Sequence, residues 1–257
     1  MTLFLVLIEE LADSRDGVLT LEEAVRGGLT PRQTRHRVRS GQWIRLHPGV
    51  YLVGRREPDQ RADTRAAVAW AGAGAVASGL TAAWWWGLRD WAPVIAEVTV
   101  PHTRSRRPRA GVGLHRRNLD PVDLVVLRGL PVTALPLTVL DAAVALGHDS
   151  GRPLVDRALQ RRVSFGELHA AYCRALGRHG SPWLGRVLRE AADGACSQAE
   201  RGPAPAAPAG QDRGLGGQPP GGAVRDQVLD RRRLCGPPAG RRGRWLGVAF
   251  RRRPVRP

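Results

Sequence analysis

A chain of 257 residues with 42% apolar side chains can bury a core over one large domain or two modest ones, which excludes a wholly disordered protein. No apolar run approaches the roughly 18 residues of a membrane helix, and Cys173, Cys196 and Cys235 are too far apart for a disulfide framework or a zinc site, so a cytoplasmic protein without metal or cofactor is expected. The formal charge of +17 rests on 40 basic residues, all of them arginine; GC-rich codon usage accounts for the missing lysine, while the net charge favours a phosphate-bearing partner.

Thr20 and Glu23 form a capping box ahead of Leu21, Ala24 and Val25, and Gly27-Gly28 ends that short helix. Thr30 then caps a second helix with Pro31 at its first position, where a missing N–H costs nothing. At 100° per residue, Thr34 and Val38 share an inward stripe with Pro31, and Arg32, Gln33, His36 and Arg39 point most directly away. Trp43 to Leu46 and Val50 to Val53 flank the turn His47-Pro48-Gly49 and read as a β-hairpin. Helix, turn, helix and hairpin in this order describe a winged helix-turn-helix, whose second helix enters the major groove of DNA. Eight arginines and no carboxylate lie between Ala24 and Arg56, so nothing within this span repels phosphate. A solvated α+β surface is the competing explanation.

From Arg61 to Leu88 the pattern is helical, with Ser78 placed to cap Leu80 to Leu88. The consecutive Trp84, Trp85 and Trp86 face different directions, so at least one is expected to seal an inter-domain contact; a base-stacking platform is the rival reading. Residues 97–100, 113–116 and 124–127 read as strands of a small antiparallel sheet. Between the first two lie Arg104, Arg106, Arg107 and Arg109 on a loop, set either against phosphate or in solvent. Helices are expected near 137–146, 153–161, 165–176 and 183–192, with Ser164/Glu167 and Ser181-Pro182 marking two starts. Asp141 is expected to cap or pair structurally, with Thr138 as one partner.

Catalytic patterns are scarce. His102, His115, His148, His169 and His179 have no neighbouring Cys or paired carboxylate at a ligand or triad spacing, and no Gly-rich phosphate loop follows a strand. The last 57 residues differ from the rest: 13 arginines against 3 acids, 11 Gly and 9 Pro, with no period of 2 or 3.6. Such a segment cannot offset its ordering entropy, and disorder is expected from about Arg201 onward.

Residues 29–32, 39–43 and 47–51, with Val98-Thr99-Val100-Pro101, Gly129 to Thr133 and Thr138 to Asp141, resemble actinobacterial proteins with an AbiEi-like antitoxin N-terminal domain. The resemblance spans about residues 15–195 and implies a winged helix that binds operator DNA, as in type IV toxin–antitoxin regulation, with a cognate toxin as an open second partner. Similar proteins continue into an endonuclease domain like those of very-short-patch-repair enzymes. Ser197 to Arg201 starts in that manner and then turns to Gly and Pro. Back-translation one base later turns residues 215–221, 229–234 and 241–248 into segments resembling that nuclease core, so a frameshift near Arg201 is expected. Arg231 and Arg242 then stand where metal-binding carboxylates would fall, and no nuclease activity should survive.

The expected architecture is α+β: an N-terminal winged helix-turn-helix at 1–56, a mixed α/β middle domain with a small antiparallel sheet and C-terminal helices at 57–195, and a disordered tail at 196–257. The favoured function is a sequence-specific, antitoxin-like transcriptional regulator bound to double-stranded DNA, not itself an enzyme. Arg32, Gln33, His36 and Arg39 would reach base edges, and Arg35, Arg37, Arg45 and His47 would hold phosphates. The alternatives are an endonuclease inactivated by the frameshift and a nonspecific nucleic-acid-binding tail.

Overall fold

The computed structural model describes residues 2–54, 56–104, 106–177 and 179–200. The expectations for residues 201–257, disorder and the frameshifted nuclease remnant, lie outside the described residues.

The N-terminal module runs α1 (Thr2–Asp13), β1 (Val18–Thr20), α2 (Leu21–Arg26), α3 (Pro31–Arg39), β2 (Trp43–His47) and β3 (Val50–Val53). This is the full winged helix-turn-helix order. The strands form an antiparallel sheet β1-β3-β2, with Val18 opposite Leu52 and Ile44 opposite the same residue on the other side. β3 is therefore the central strand, and its four apolar residues are all buried because both faces are covered. Tyr51 and Val53 face a core made with Ile8, Ala12, Leu19, Ala24, Leu29 and Trp43. Val50 and Leu52 face the other way, into a core shared with the rest of the chain. Period-2 alternation thus splits one strand between two cores, and burying Leu52 alone is worth about 2 kcal/mol.

That second core is built on α4 (Gln60–Ala71), β4 (Val76–Ala77), α5 (Gly79–Trp85), β5 (Ala96–Val100), β6 (Val112–Arg116), β7 (Leu124–Leu127) and β8 (Leu130–Thr133). The sheet order is β6-β5-β4-β8-β7. The antiparallel pairs β4–β5 and β7–β8 fit the expected small sheet, but β5–β6 and β4–β8 pair in parallel, so the sheet is mixed. β4, too short to show any period in the sequence, is what joins the two halves. α5 ends at Trp85 rather than running to Leu88. The Ser78 side chain makes no cap; its hydroxyl accepts instead from Thr99, and the Leu80 N–H is capped by the Glu97 carboxylate from β5.

Trp85 is buried among residues of both sheets, and its Nε1 donates to the Leu127 carbonyl at 2.9 Å. The Trp86 Nε1 likewise donates to the Thr133 carbonyl at 3.0 Å. Both rings are thus tied into the fold, as the expected inter-domain seal requires of at least one of the three. Arg61 and Arg65 cover the Trp85 ring at 4.7 and 5.3 Å and both bond Asp16, which sits in the loop before β1. Burial opposes ionisation of Asp16, yet its hydrogen bonds and ion pairs with Arg65 and Arg61 outweigh that and hold its pKa below the usual carboxylate value.

The C-terminal part is helical: α6 (Leu135–Arg161), α7 (Phe165–Arg174) and α8 (Ser181–Glu200). α6 breaks at Gly147, whose φ of 74° and ψ of −171° suit only glycine, so the two helices read from the sequence are joined by a sharp bend. Ser164 and Glu167 form the expected capping box. Asp141 pairs with Arg117 rather than with Thr138, which bonds Thr133. Asp123 anchors Arg174 of α7 through two hydrogen bonds of 3.1 and 2.7 Å.

Candidate nucleic-acid interface

α3 is fixed at both ends before any side chain points outward. The Thr30 hydroxyl accepts from the Gln33 N–H at 3.2 Å, and Gln33 Oε1 accepts in return from the Thr30 N–H at 2.8 Å. At the other end the Ser40 N–H reaches the His36 carbonyl at 2.8 Å, and Gly41, with a φ of +71°, turns the chain towards β2. Thr34 is fully buried and Val38 packs into the module's core, as the helical spacing predicts, whereas Pro31 is exposed. Its place at the first turn puts it beyond the edge of the packed stripe.

The opposite face carries exposed Arg32, Gln33, Arg35, His36 and Arg39, with Arg45 exposed on β2. Arg32, Gln33, His36, Arg37, Arg39 and Gln42 line an open concavity of about 470 Å³. Gln42 is missing from the sequence-based set because it follows the helix and carries no charge. It bonds Arg37 at 3.1 Å, which also lies over the Trp43 ring at 5.7 Å; that guanidinium is half-buried and oriented.

Among the described residues, no ion pair neutralises an arginine of α3. The arginines beside it differ. Arg26 pairs with Glu22 and Arg56 with Asp13, so acids just outside the carboxylate-free span cancel part of its charge. Among the described residues of that span, the charge without an ion-pair partner lies on α3 and the start of the wing.

Two predicted contacts look different in three dimensions. Gln33 already uses Oε1 in the helix cap, so a bidentate approach to adenine would have to break that cap. His47 at the wing turn is half-buried; its Nδ1 accepts from Arg109 Nε at 2.8 Å and its ring lies 5.6 Å from Trp70. Burial, and then the Arg109 charge, lower its pKa, which favours neutral imidazole. A neutral ring is a poor phosphate grip.

No three His, Cys, Asp or Glu side chains among the described residues converge on a metal position, and no helix among them is long and apolar enough to cross a membrane. Residues 6–54 match the family model described as transcriptional regulator, AbiEi antitoxin, and residues 75–189 match that of the AbiEi antitoxin C-terminal domain. The crystal structure of the RV2827C protein from Mycobacterium tuberculosis is similar at 20% identity over 71% of this chain and 75% of that one, with a TM-score of 0.48. No curated protein matches. Neither family match extends past residue 189, so the endonuclease reading finds no support.

Proposed function

We propose that this chain, whose two matched segments are those of AbiEi-type antitoxins, is a sequence-specific DNA-binding transcriptional regulator acting in the cytoplasm. Residues 1–56 would supply DNA contact and 57–195 the antitoxin body, with a cognate toxin as second partner. The observation that carries the reading is the outward face of α3, an open concavity rimmed by arginines that have no ion-pair partner among the described residues, on a helix whose other face is locked into a core.

On this reading Arg32, His36 and Arg39 meet base edges in the major groove, where each bidentate arginine–guanine pair adds about 1–3 kcal/mol of discrimination. Gln33 contributes its Nε2 while Oε1 stays in the cap. Arg35, Arg37 and Arg45 hold phosphates and set the register, and His47 supports the neighbouring Arg109 rather than binding directly.

The test is a fluorescence-anisotropy titration against a duplex covering the DNA upstream of the chain's own gene, repeated across a salt series. Neutralising about four to six phosphates gives a log Kd against log salt slope of about 4 to 5 in magnitude. Arg32→Ala with Arg39→Ala should weaken binding and narrow the preference over a scrambled duplex. An unchanged titration curve overturns the assignment.

A further inference from the structure

The arginine-rich loop between β5 and β6 is not absorbed by the reading above. Residues 98–119 contain six arginines and no carboxylate. Arg104, Arg106, Arg107 and Arg109 are all exposed, yet the loop is held in place. Arg109 Nε donates to His47 Nδ1 at the wing turn, and the Arg106 guanidinium lies over the Trp70 ring at 5.9 Å. Trp70 is itself buried in the core and carries the His47 ring on its other contact. Wing, α4 and loop therefore meet in one cluster, from which Arg104 and Arg107 project without an ion-pair partner among the described residues.

The position of this cluster follows from the length of β2. Trp43 lies against Arg37 of α3 and His47 lies at the far end of the strand, four steps away, or about 13 Å at 3.3 Å per residue. The major groove is about 12 Å wide. If β2 runs across that groove when α3 is seated in it, the wing turn, with the loop bonded to it, reaches the sugar–phosphate backbone that borders it.

We propose that Arg104, Arg106, Arg107 and Arg109 form a second DNA-contact element, in which Arg104 and Arg107 grip phosphates flanking the groove and the Arg109–His47 and Arg106–Trp70 contacts hold them in register with α3. The proposal rests on the DNA-binding reading. It predicts a footprint wider than a winged helix alone would leave. Arginine suits the task because its fork binds phosphate oxygens bidentately.

The experiment uses the full chain and the same upstream duplex. Arg104→Gln with Arg107→Gln should reduce the salt slope by about 1.8, the value for two phosphates at 0.9 each. Hydroxyl-radical protection should be lost on the flanking backbone, while preference over the scrambled duplex is retained. His47→Phe keeps a ring against Trp70 and removes the acceptor, and should weaken the same flanking protection with both outer arginines intact. If the unmodified chain binds and the double variant keeps slope and footprint, this inference falls and the DNA-binding reading stands. If His47→Phe leaves protection intact, the latch is wrong. Failure of the unmodified chain to bind any duplex overturns both readings.

Discussion

Replacing Asp16 by Asn removes one negative charge and leaves the backbone undisturbed, because Asp16 sits at a φ of +53° and asparagine tolerates that left-handed conformation as well. The partner that suffers is Arg65, 6% exposed, which keeps only the Gly129 and Arg128 carbonyls and the Trp85 ring. Breaking a fully buried pair costs about 3–5 kcal/mol and an exposed one under about 1. With the Asp16 side chain 20% exposed and two neutral acceptors remaining, the loss should be about 2–3 kcal/mol, or roughly 4–12 °C in melting temperature for a unit of this size. Differential scanning fluorimetry at neutral pH measures it. The pH dependence gives a second reading of the same interaction. The folded-state pKa lies below the ordinary 3.8, so the stabilisation is complete above that value and is lost as pH falls through the folded pKa. Asp16→Asn should therefore remove part of the acid sensitivity below about pH 4. A melting temperature within 1 °C of the unmodified chain would refute the claim that this residue ties the N-terminal module to α4 and the β7–β8 turn.

Trp85→Phe leaves the Leu127 carbonyl without its donor and shrinks a side chain only 1% exposed; urea unfolding should show a loss of about 2–3 kcal/mol, and less than about 1 would count against the ring's structural role. The depressed His47 pKa predicts an NMR titration midpoint below 6.5. Its contribution to stability is present above that value and lost as pH falls towards the folded pKa, so the Arg109 contact should loosen on acidification. A midpoint at or above 6.5 would show that the ring does not hold its neutral, accepting form.

The helix-turn-helix was legible because its signals are local. Thr20 with Glu23, Thr30 with Pro31, and the turn through Gly49 each act within four residues, and each appears as read. α1 and β1 were not legible as parts of the module. The apolar start of α1 gains its meaning from Ile8 and Ala12 packing on Leu19 and Trp43, and three residues of β1 carry too short a pattern to declare a strand. The same limit hid β4, and sheet order depends on pairings such as Ala77 with Val132 that no local propensity encodes. At the candidate interface, the outward face of α3 followed from angular spacing alone. The contacts of His47 were not legible in the sequence, because its partners, Trp70 and Arg109, lie 23 and 62 residues away in the chain.

Dimethyl sulfate probing of guanine N7 in the upstream duplex addresses the central claim directly, since N7 is open only from the major groove. With α3 seated there, a short run of guanines should be protected by the unmodified chain and become reactive again with Arg32→Ala and Arg39→Ala. Tight binding that leaves every N7 as reactive as in free DNA would contradict the account.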